Sequence, residues 1–119
     1  MVSVHYVDNM MYWCNQIGGE SWEAYIDDQC GKLEKAFSEK NIPVFLGETT
    51  AIYPDSNFDS SSTRTSSECL EYVLNKLTDL GFVPVIWDTN DNFYSRTEFK
   101  VKSETDAAVI KKISEKLGK

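Results

Sequence analysis

Three short apolar runs, spaced about 40 residues apart, most constrain how this chain can fold. They occupy residues 2–7, 42–46 and 82–87, and the last two, IPVFL and FVPVIW, are nearly continuous in apolar residues. Runs of this kind are typical of strands that are covered on both faces, as in parallel sheets. The sequence therefore predicts three parallel strands.

Each run is followed by hydrophobic residues at helical spacing. The three stripes are Trp22, Ile26, Leu33 and Phe37; Leu70, Val73, Leu74, Leu77 and Leu80; and Ala107, Ile110, Ile113 and Leu117. A capping-box pattern from Thr65 to Glu68 precedes the second stripe, and Gly81 follows it. Ser103, with Asp106 three residues later, is the expected start of the third helix.

The order strand–helix, repeated three times, predicts βα units with right-handed crossovers in an α/β fold. The length of 119 residues predicts one domain, residues 1–119. A flavodoxin-like or receiver-type module is the alternative. It is disfavoured because the sequence has no Gly-rich phosphate loop, lacks an early acidic pair and has only three units.

The charge balance limits the possible partners. Twelve basic and nineteen acidic residues give a net charge of −7, which disfavours nucleic acid and anionic lipid but tolerates neutral sugars. No apolar run approaches about 18 residues, so no membrane span is predicted. The opening MVSVHY has no basic region followed by an apolar one, so no signal peptide is predicted in this chain.

The cysteines do not predict a metal site. Cys14, Cys30 and Cys69 form no CxxC pair, and His5 is the one histidine of the sequence. The odd count leaves at least one thiol free, and we expect structural or half-buried thiols. No metal and no cofactor are predicted.

Polar residues fall where the predicted strands end. His5 and Tyr6 end the first run, a Gly-Glu pair containing Glu48 ends the second, and Trp87 followed by Asp88 ends the third. Catalytic groups of parallel α/β proteins collect at the carboxyl ends of the strands. An imidazole, a carboxylate and an indole on one rim are the outline of sugar-hydrolysis chemistry.

These segments resemble a known family. IPVFLGETTA resembles the strand-seven motif of family 5 glycoside hydrolases, the cellulase family, in which an apolar strand ends in Gly-Glu and the Glu is the nucleophile. VHYVDN is similar to the strand-six segment, whose His and aromatics line the subsite of bond cleavage. FVPVIWDTND is similar to strand eight, whose Trp forms the floor of that subsite.

The resemblance implies three successive βα units of a TIM-type (β/α)8 barrel and the substrate class of β-1,4-linked glucan, or another neutral polysaccharide. It implies that Glu48 is the nucleophile and that His5, Tyr6, Trp87 and Asn90 bind substrate. Members of this family are usually secreted.

The sequence departs from the family pattern at the acid/base. That residue is a Glu in an Asn-Glu motif on strand four, and this sequence has no Asn-Glu dipeptide. Val7 and Thr49 also stand where the family often has aromatic residues. Retaining hydrolysis needs two carboxylates about 5 Å apart, so the acid would be Asp88, Asp8 or a carboxylate of another subunit.

Two functions remain open from the sequence. The first is a small endo-β-1,4-glucanase assembled from copies of the chain, with Glu48 as nucleophile. The second is a non-catalytic barrel remnant that binds β-glucan through Trp87. In either case three strands leave two sheet edges and an apolar inner face open, so we expect a homo-oligomer, with a dimer as the simplest form.

Overall fold

The computed structural model describes residues 1–5, 21–50, 66–88 and 93–118. Within these ranges the chain forms five strands, three α-helices and one short 3₁₀ helix. The strands are β1 (Val2–His5), β2 (Val44–Thr50), β3 (Val83–Trp87), β4 (Tyr94–Ser95) and β5 (Lys100–Val101). The α-helices are α1 (Ser21–Ala36), α2 (Ser66–Asp79) and α3 (Glu104–Lys116), and the 3₁₀ helix is Ser38–Lys40.

The first three strands form a parallel sheet in the order β1-β2-β3. Because right-handed crossovers that advance in one direction place their helices on the same face, this order is typical of a segment of a βα barrel. A flavodoxin-like sheet reverses its strand order and carries helices on both faces. The predicted strand–helix order is confirmed, and the topology favours the barrel segment over the flavodoxin-like alternative.

The core lies between the three helices and one face of this sheet. Its buried side chains are Ile26, Cys30, Leu33, Val44, Leu46, Cys69, Leu70, Val73, Leu74, Leu77, Phe82, Val109 and Ile113. Most of the predicted helix stripes are therefore confirmed. Leu117 differs from the prediction, because α3 ends at Lys116 and Leu117 at its C-cap is 47% exposed. The side chain of Trp22, predicted in the first stripe, lies outside the described residues.

Local hydrogen bonds explain where two helices begin or end. After α2, Gly81 adopts φ +75° and donates to the carbonyl of Thr78, while the amide of Phe82 donates to the carbonyl of Leu77. This is a Schellman motif, as Gly81 predicted. At the start of α3, Ser103 Oγ accepts from the amide of Asp106 at 3.2 Å, which confirms the predicted cap. Thr65 lies outside the described residues.

The strands differ from the prediction in two details. The Gly-Glu pair was expected to end β2, but β2 continues past it to Thr50. The antiparallel β4–β5 hairpin, which lies between β3 and α3, was not predicted. Each strand of that hairpin is two residues long, which is too short for a period-2 hydrophobic pattern to appear.

The second sheet face carries apolar side chains and, within the described residues, no helix. Ile86 packs against the core, so the alternation of β3 places Val83, Val85 and Trp87 on the opposite face, and Phe45 lies there on β2 by the same alternation. We call this the helix-free face. Val83 is 55% exposed and Trp87 is 45% exposed, whereas Phe45 and Val85 are half-buried. Among the described residues, β1 and β3 each pair with β2 alone.

The two described cysteines differ in state. Cys30 is a buried free thiol, and burial, helped by the nearby Asp27 carboxylate, raises its pKa to about 11. Cys69 is buried and disulfide-bonded, so the expectation of a structural thiol is wrong at this position. In the described part of the chain, no helix is long and apolar enough to cross a membrane.

Candidate functional site

The predicted nucleophile and the predicted histidine lie on neighbouring strands in register. The Cα atom of Glu48 on β2 is the partner of the Cα atom of His5 at the end of β1. On the other side of β2, Thr50 is the partner of Trp87, the last residue of β3. The backbone therefore brings His5, Glu48 and Trp87 to the carboxyl edge of the sheet, with Glu48 on the central strand.

β2 is irregular where it carries Glu48. Its pairing register with β3 shifts between Leu46 and Thr49, and the pairing with β1 shifts between Val4 and His5. Leu46 and Thr49 are three residues apart, yet both are buried. In a regular strand such residues would face opposite sides, so the irregularity changes the phase of the strand around the Gly-Glu pair. Irregularities of this kind are frequent beside active sites.

The side-chain hydroxyl of Thr49 is in an unusual environment. Its side chain is 3% exposed, and its Oγ1 has no hydrogen-bond partner. Buried hydroxyl groups are normally paired, because an unpaired one loses its hydrogen bonds to water without replacement. Thr49 is also one of the positions at which this sequence departs from the family resemblance.

The third strand end is held by Asp88. Its Oδ2 accepts hydrogen bonds from the amides of Phe93 at 3.1 Å and Tyr94 at 2.9 Å. The Arg96 guanidinium donates to the carbonyl oxygen of Asp88 at 3.2 Å. Asp88 thus ties the end of β3 to the start of the β4–β5 hairpin. Because that carboxylate oxygen serves two backbone donors, we do not assign the missing acid/base to Asp88.

The remaining predicted site residues, Tyr6 and Asn90, lie outside the described residues, as does the acid candidate Asp8. Within the described ranges, no group of three or more His, Cys, Asp or Glu side chains is arranged to hold a metal ion.

Arg96 makes a contact in this region that the sequence did not predict. It lies in the four-residue turn between β4 and β5 and reaches back to Asp88. The contact depends on the hairpin, and the hairpin was not predicted. The signal present in the sequence was the polar stretch Asp-Thr-Asn-Asp, which indicates a turn but not the element that follows it.

The fold defines a class: three consecutive βα units with the geometry of a barrel segment. Solved structures of whole barrels can be compared with this segment. A GH5-4 broad specificity endoglucanase from an uncultured bovine rumen ciliate superimposes with a TM-score of 0.67 and 24% identity, over 83% of this chain and 29% of its own.

Two further structures agree. A trimodular GH5_4 subfamily endoglucanase gives a TM-score of 0.72 and 19% identity over 95% of this chain and 22% of its own. A GH5-4 broad specificity endoglucanase from Clostridium cellulovorans gives 0.69 and 19% identity over 94% of this chain and 36% of its own. No protein-family model and no curated protein matches the chain.

These comparisons confirm the resemblance at the level of the fold. The chain is similar to part of the barrel of GH5_4 endoglucanases, and it spans only 22% to 39% of the length of the chains it matches.

Proposed function

We propose that this chain is a cellulase-like barrel segment that binds β-1,4-linked glucan at the carboxyl edge of its parallel sheet. The observation that carries the proposal is the register of the three strands, which aligns His5 with Glu48 and Thr50 with Trp87. Three of the residues that the family resemblance marks as substrate-binding or nucleophilic, His5, Glu48 and Trp87, thus share one edge.

Trp87 is the proposed sugar platform. It ends β3 and leaves 45% of its surface exposed, although large aromatic side chains are usually buried more fully. An indole offers a flat apolar surface with a polar N–H, which suits the axial C–H face and the hydroxyl rim of a glucose unit. The net charge of −7 does not oppose a neutral polysaccharide.

Hydrolysis is the second candidate function, with Glu48 as nucleophile of a retaining mechanism. Such a mechanism needs a second carboxylate about 5–5.5 Å away to protonate the leaving oxygen. Asp88 is engaged with the amides of Phe93 and Tyr94, so the acid has to come from elsewhere. Without a positioned acid, the rate falls by about 10²–10⁴-fold, which favours binding over catalysis for the isolated chain.

Self-association is part of the proposal. A second copy would cover the part of the helix-free face that carries exposed Val83 and the half-buried Phe45 and Val85, and it would leave Trp87 open at the carboxyl edge. Apolar faces of this kind are rarely left open in monomers. A homodimer is the simplest arrangement, and it is also a source of a carboxylate from a neighbouring subunit.

The test of glucan binding is calorimetric titration of the full chain with cellohexaose. Trp87→Ala is compared with Phe99→Ala, a matched removal of an aromatic ring that is 79% exposed on the β4–β5 turn. We expect Trp87→Ala to weaken binding at least about tenfold and Phe99→Ala to leave it unchanged. Equal effects of the two variants, or no binding by the unsubstituted chain, would overturn the proposal.

A further inference from the structure

We propose that Asp88 is a positioning residue of the glucan-binding edge: it fixes Trp87 by tying the chain that leaves β3 to the β4–β5 hairpin. The inference rests on the proposed function of Trp87, but its structural half is testable without any sugar.

The first part of the argument is the double acceptance at Asp88 Oδ2. The amides of Phe93 and Tyr94 donate to this one oxygen at 3.1 and 2.9 Å. Residues 89–92 connect these amides to Asp88 in the sequence. The carboxylate therefore holds together both ends of that connection, immediately after Trp87. Hydrogen bonds from backbone amides to a charged acceptor are stronger than bonds between neutral groups.

The second part is the Arg96 contact. Its guanidinium donates to the carbonyl oxygen of Asp88 at 3.2 Å, so the backbone of Asp88 is held as well as its side chain. The hairpin that carries Arg96 is itself well bonded. The amide of Lys102 donates to the carbonyl of Phe93, and buried Ser95 accepts from the amide of Glu98.

The third part concerns what holds Trp87 in place. On one side Trp87 is paired with β2, where Thr50 is its register partner. Beyond Trp87 the described sheet ends, and the ring is 45% exposed, so packing alone restrains it only in part. The Asp88 bonds supply the missing restraint on the backbone. A platform held in its binding orientation loses less conformational freedom when a ligand stacks on it.

The test compares Asp88→Ala and Asp88→Asn with Asp28→Asn. Asparagine keeps a carbonyl oxygen that accepts both amides, whereas alanine removes the acceptor. Asp28→Asn is the matched loss of one charge at an exposed site, where the carboxylate pairs with Lys32 within α1. Three readouts are taken on the full chain: amide exchange at Phe93 and Tyr94, the ¹⁹F signal of 5-fluorotryptophan-labelled Trp87, and cellohexaose affinity.

We expect Asp88→Ala to accelerate exchange of both amides by at least about tenfold, to shift the Trp87 signal and to weaken binding about tenfold. We expect Asp88→Asn to keep both exchange rates and the cellohexaose affinity within about threefold of the unsubstituted chain and to leave the Trp87 signal unshifted. We expect Asp28→Asn to change none of the three readouts. The Trp87 signal is assigned by its disappearance in Trp87→Phe, and retained circular dichroism shows that each variant is folded.

Unchanged amide exchange and an unchanged Trp87 signal in Asp88→Ala would overturn the positioning role, regardless of the cellohexaose affinity. A shifted Trp87 signal with no cellohexaose binding by the unsubstituted chain would reject the proposed function and leave the positioning of Trp87 standing. Restored exchange in Asp88→Asn without restored affinity would also contradict the proposal, because the affinity would then depend on the charge and not on the tether.

Discussion

The Cα atoms of His5 and Glu48 are register partners on the adjacent parallel strands β1 and β2. Neighbouring strands lie about 4.8 Å apart, so this pairing places the two residues side by side at the edge of the sheet. They are separated by more than 40 positions in the sequence, and only the parallel crossover brings them together. The same edge continues through Thr50 to Trp87.

Glu48 is the first residue to test for catalysis. If the assembled protein hydrolyses carboxymethylcellulose, Glu48→Gln should lower the rate at least about 10³-fold, because the amide cannot form the glycosyl-enzyme bond. Cellohexaose affinity should stay within about threefold of the unsubstituted chain. The matched control is Glu98→Gln, which removes the same charge from an exposed pair with Lys100. Hydrolysis that persists in Glu48→Gln would exclude this residue as nucleophile.

The buried hydroxyl of Thr49 predicts a stabilising substitution. Thr49→Val should raise the free energy of unfolding by about 1 kcal/mol, since Oγ1 has no partner and its replacement removes a desolvated polar group. Urea denaturation measures the change. Thr78→Val is the control: its hydroxyl is also buried but donates to the carbonyl of Leu74 at 2.8 Å, so this variant should lose stability. Changes of the same sign in the free energy of unfolding of both variants would contradict the absence of a hydrogen bond at Thr49 Oγ1.

Much of the fold follows from short-range patterns. Leu70, Val73, Leu74 and Leu77 recur at helical spacing and are all buried, and Gly81 marks the end of their helix. These features are set by local backbone preferences and by the burial of one face, and both are visible in the sequence.

The features that sequence reasoning missed depend on long-range contacts or on irregular backbone. The position at which β2 ends is set by pairing with β1 and β3, and its register shift between Leu46 and Thr49 has no hydrophobic pattern of its own. The β4–β5 hairpin is held by Asp88 and the turn around Ser95. Such bonds depend on particular donors and acceptors, and the hydrophobic periodicity of a sequence does not indicate which of them pair. The placement of His5 beside Glu48 was predicted, because parallel strands share a carboxyl edge.

A buried hydrogen bond between Ser67 and Asp106 joins the amino-terminal ends of α2 and α3. Its removal is predicted to lower the stability of the protein. Ser67 Oγ donates to Asp106 Oδ1 at 2.6 Å, and each residue is 9% exposed. Ser67→Ala should lower the free energy of unfolding by about 1–3 kcal/mol, because the buried carboxylate loses a donor. Denaturant unfolding of Ser67→Ala, Asp106→Ala and the double variant measures the coupling. Additive losses would show that the two side chains do not stabilise each other.

The helix-free face predicts a substitution that separates the proposed dimer. Val83 is 55% exposed on that face, and Val83→Glu would place a charge inside the interface, where it would lack a partner. We expect light scattering to show twice the chain mass for the unsubstituted protein and the single-chain mass for Val83→Glu. Phe99→Glu adds the same charge on the β4–β5 turn, where the side chain is 79% exposed, and should leave the mass unchanged. A monomeric unsubstituted chain would contradict the dimer.

A polar contact between α1 and α2 predicts a pH-dependent contribution to stability. Asp27 Oδ1 accepts from the Tyr72 hydroxyl at 2.7 Å and from Lys76 Nζ at 2.8 Å. Partial burial acts to raise the pKa of Asp27, but the hydrogen bonds from Lys76 and Tyr72 outweigh it and leave this pKa below its usual value of 3.8.

Because the pKa of Asp27 is lower in the folded state, its stabilisation is present above pH 3.8 and is lost as the pH falls through the folded value. Asp27→Asn should therefore reduce the free energy of unfolding at pH 7 by less than about 1 kcal/mol, since the side chain is 48% exposed and solvent screens the pair. Toward pH 2, as the pH falls through the lowered pKa of the folded state, the difference from the unsubstituted chain should shrink. Urea denaturation at pH 7 and toward pH 2 measures this difference in the free energy of unfolding, with Asp28→Asn as the exposed control. A difference that persists undiminished in acid would assign the effect of Asp27 to packing and not to its charge.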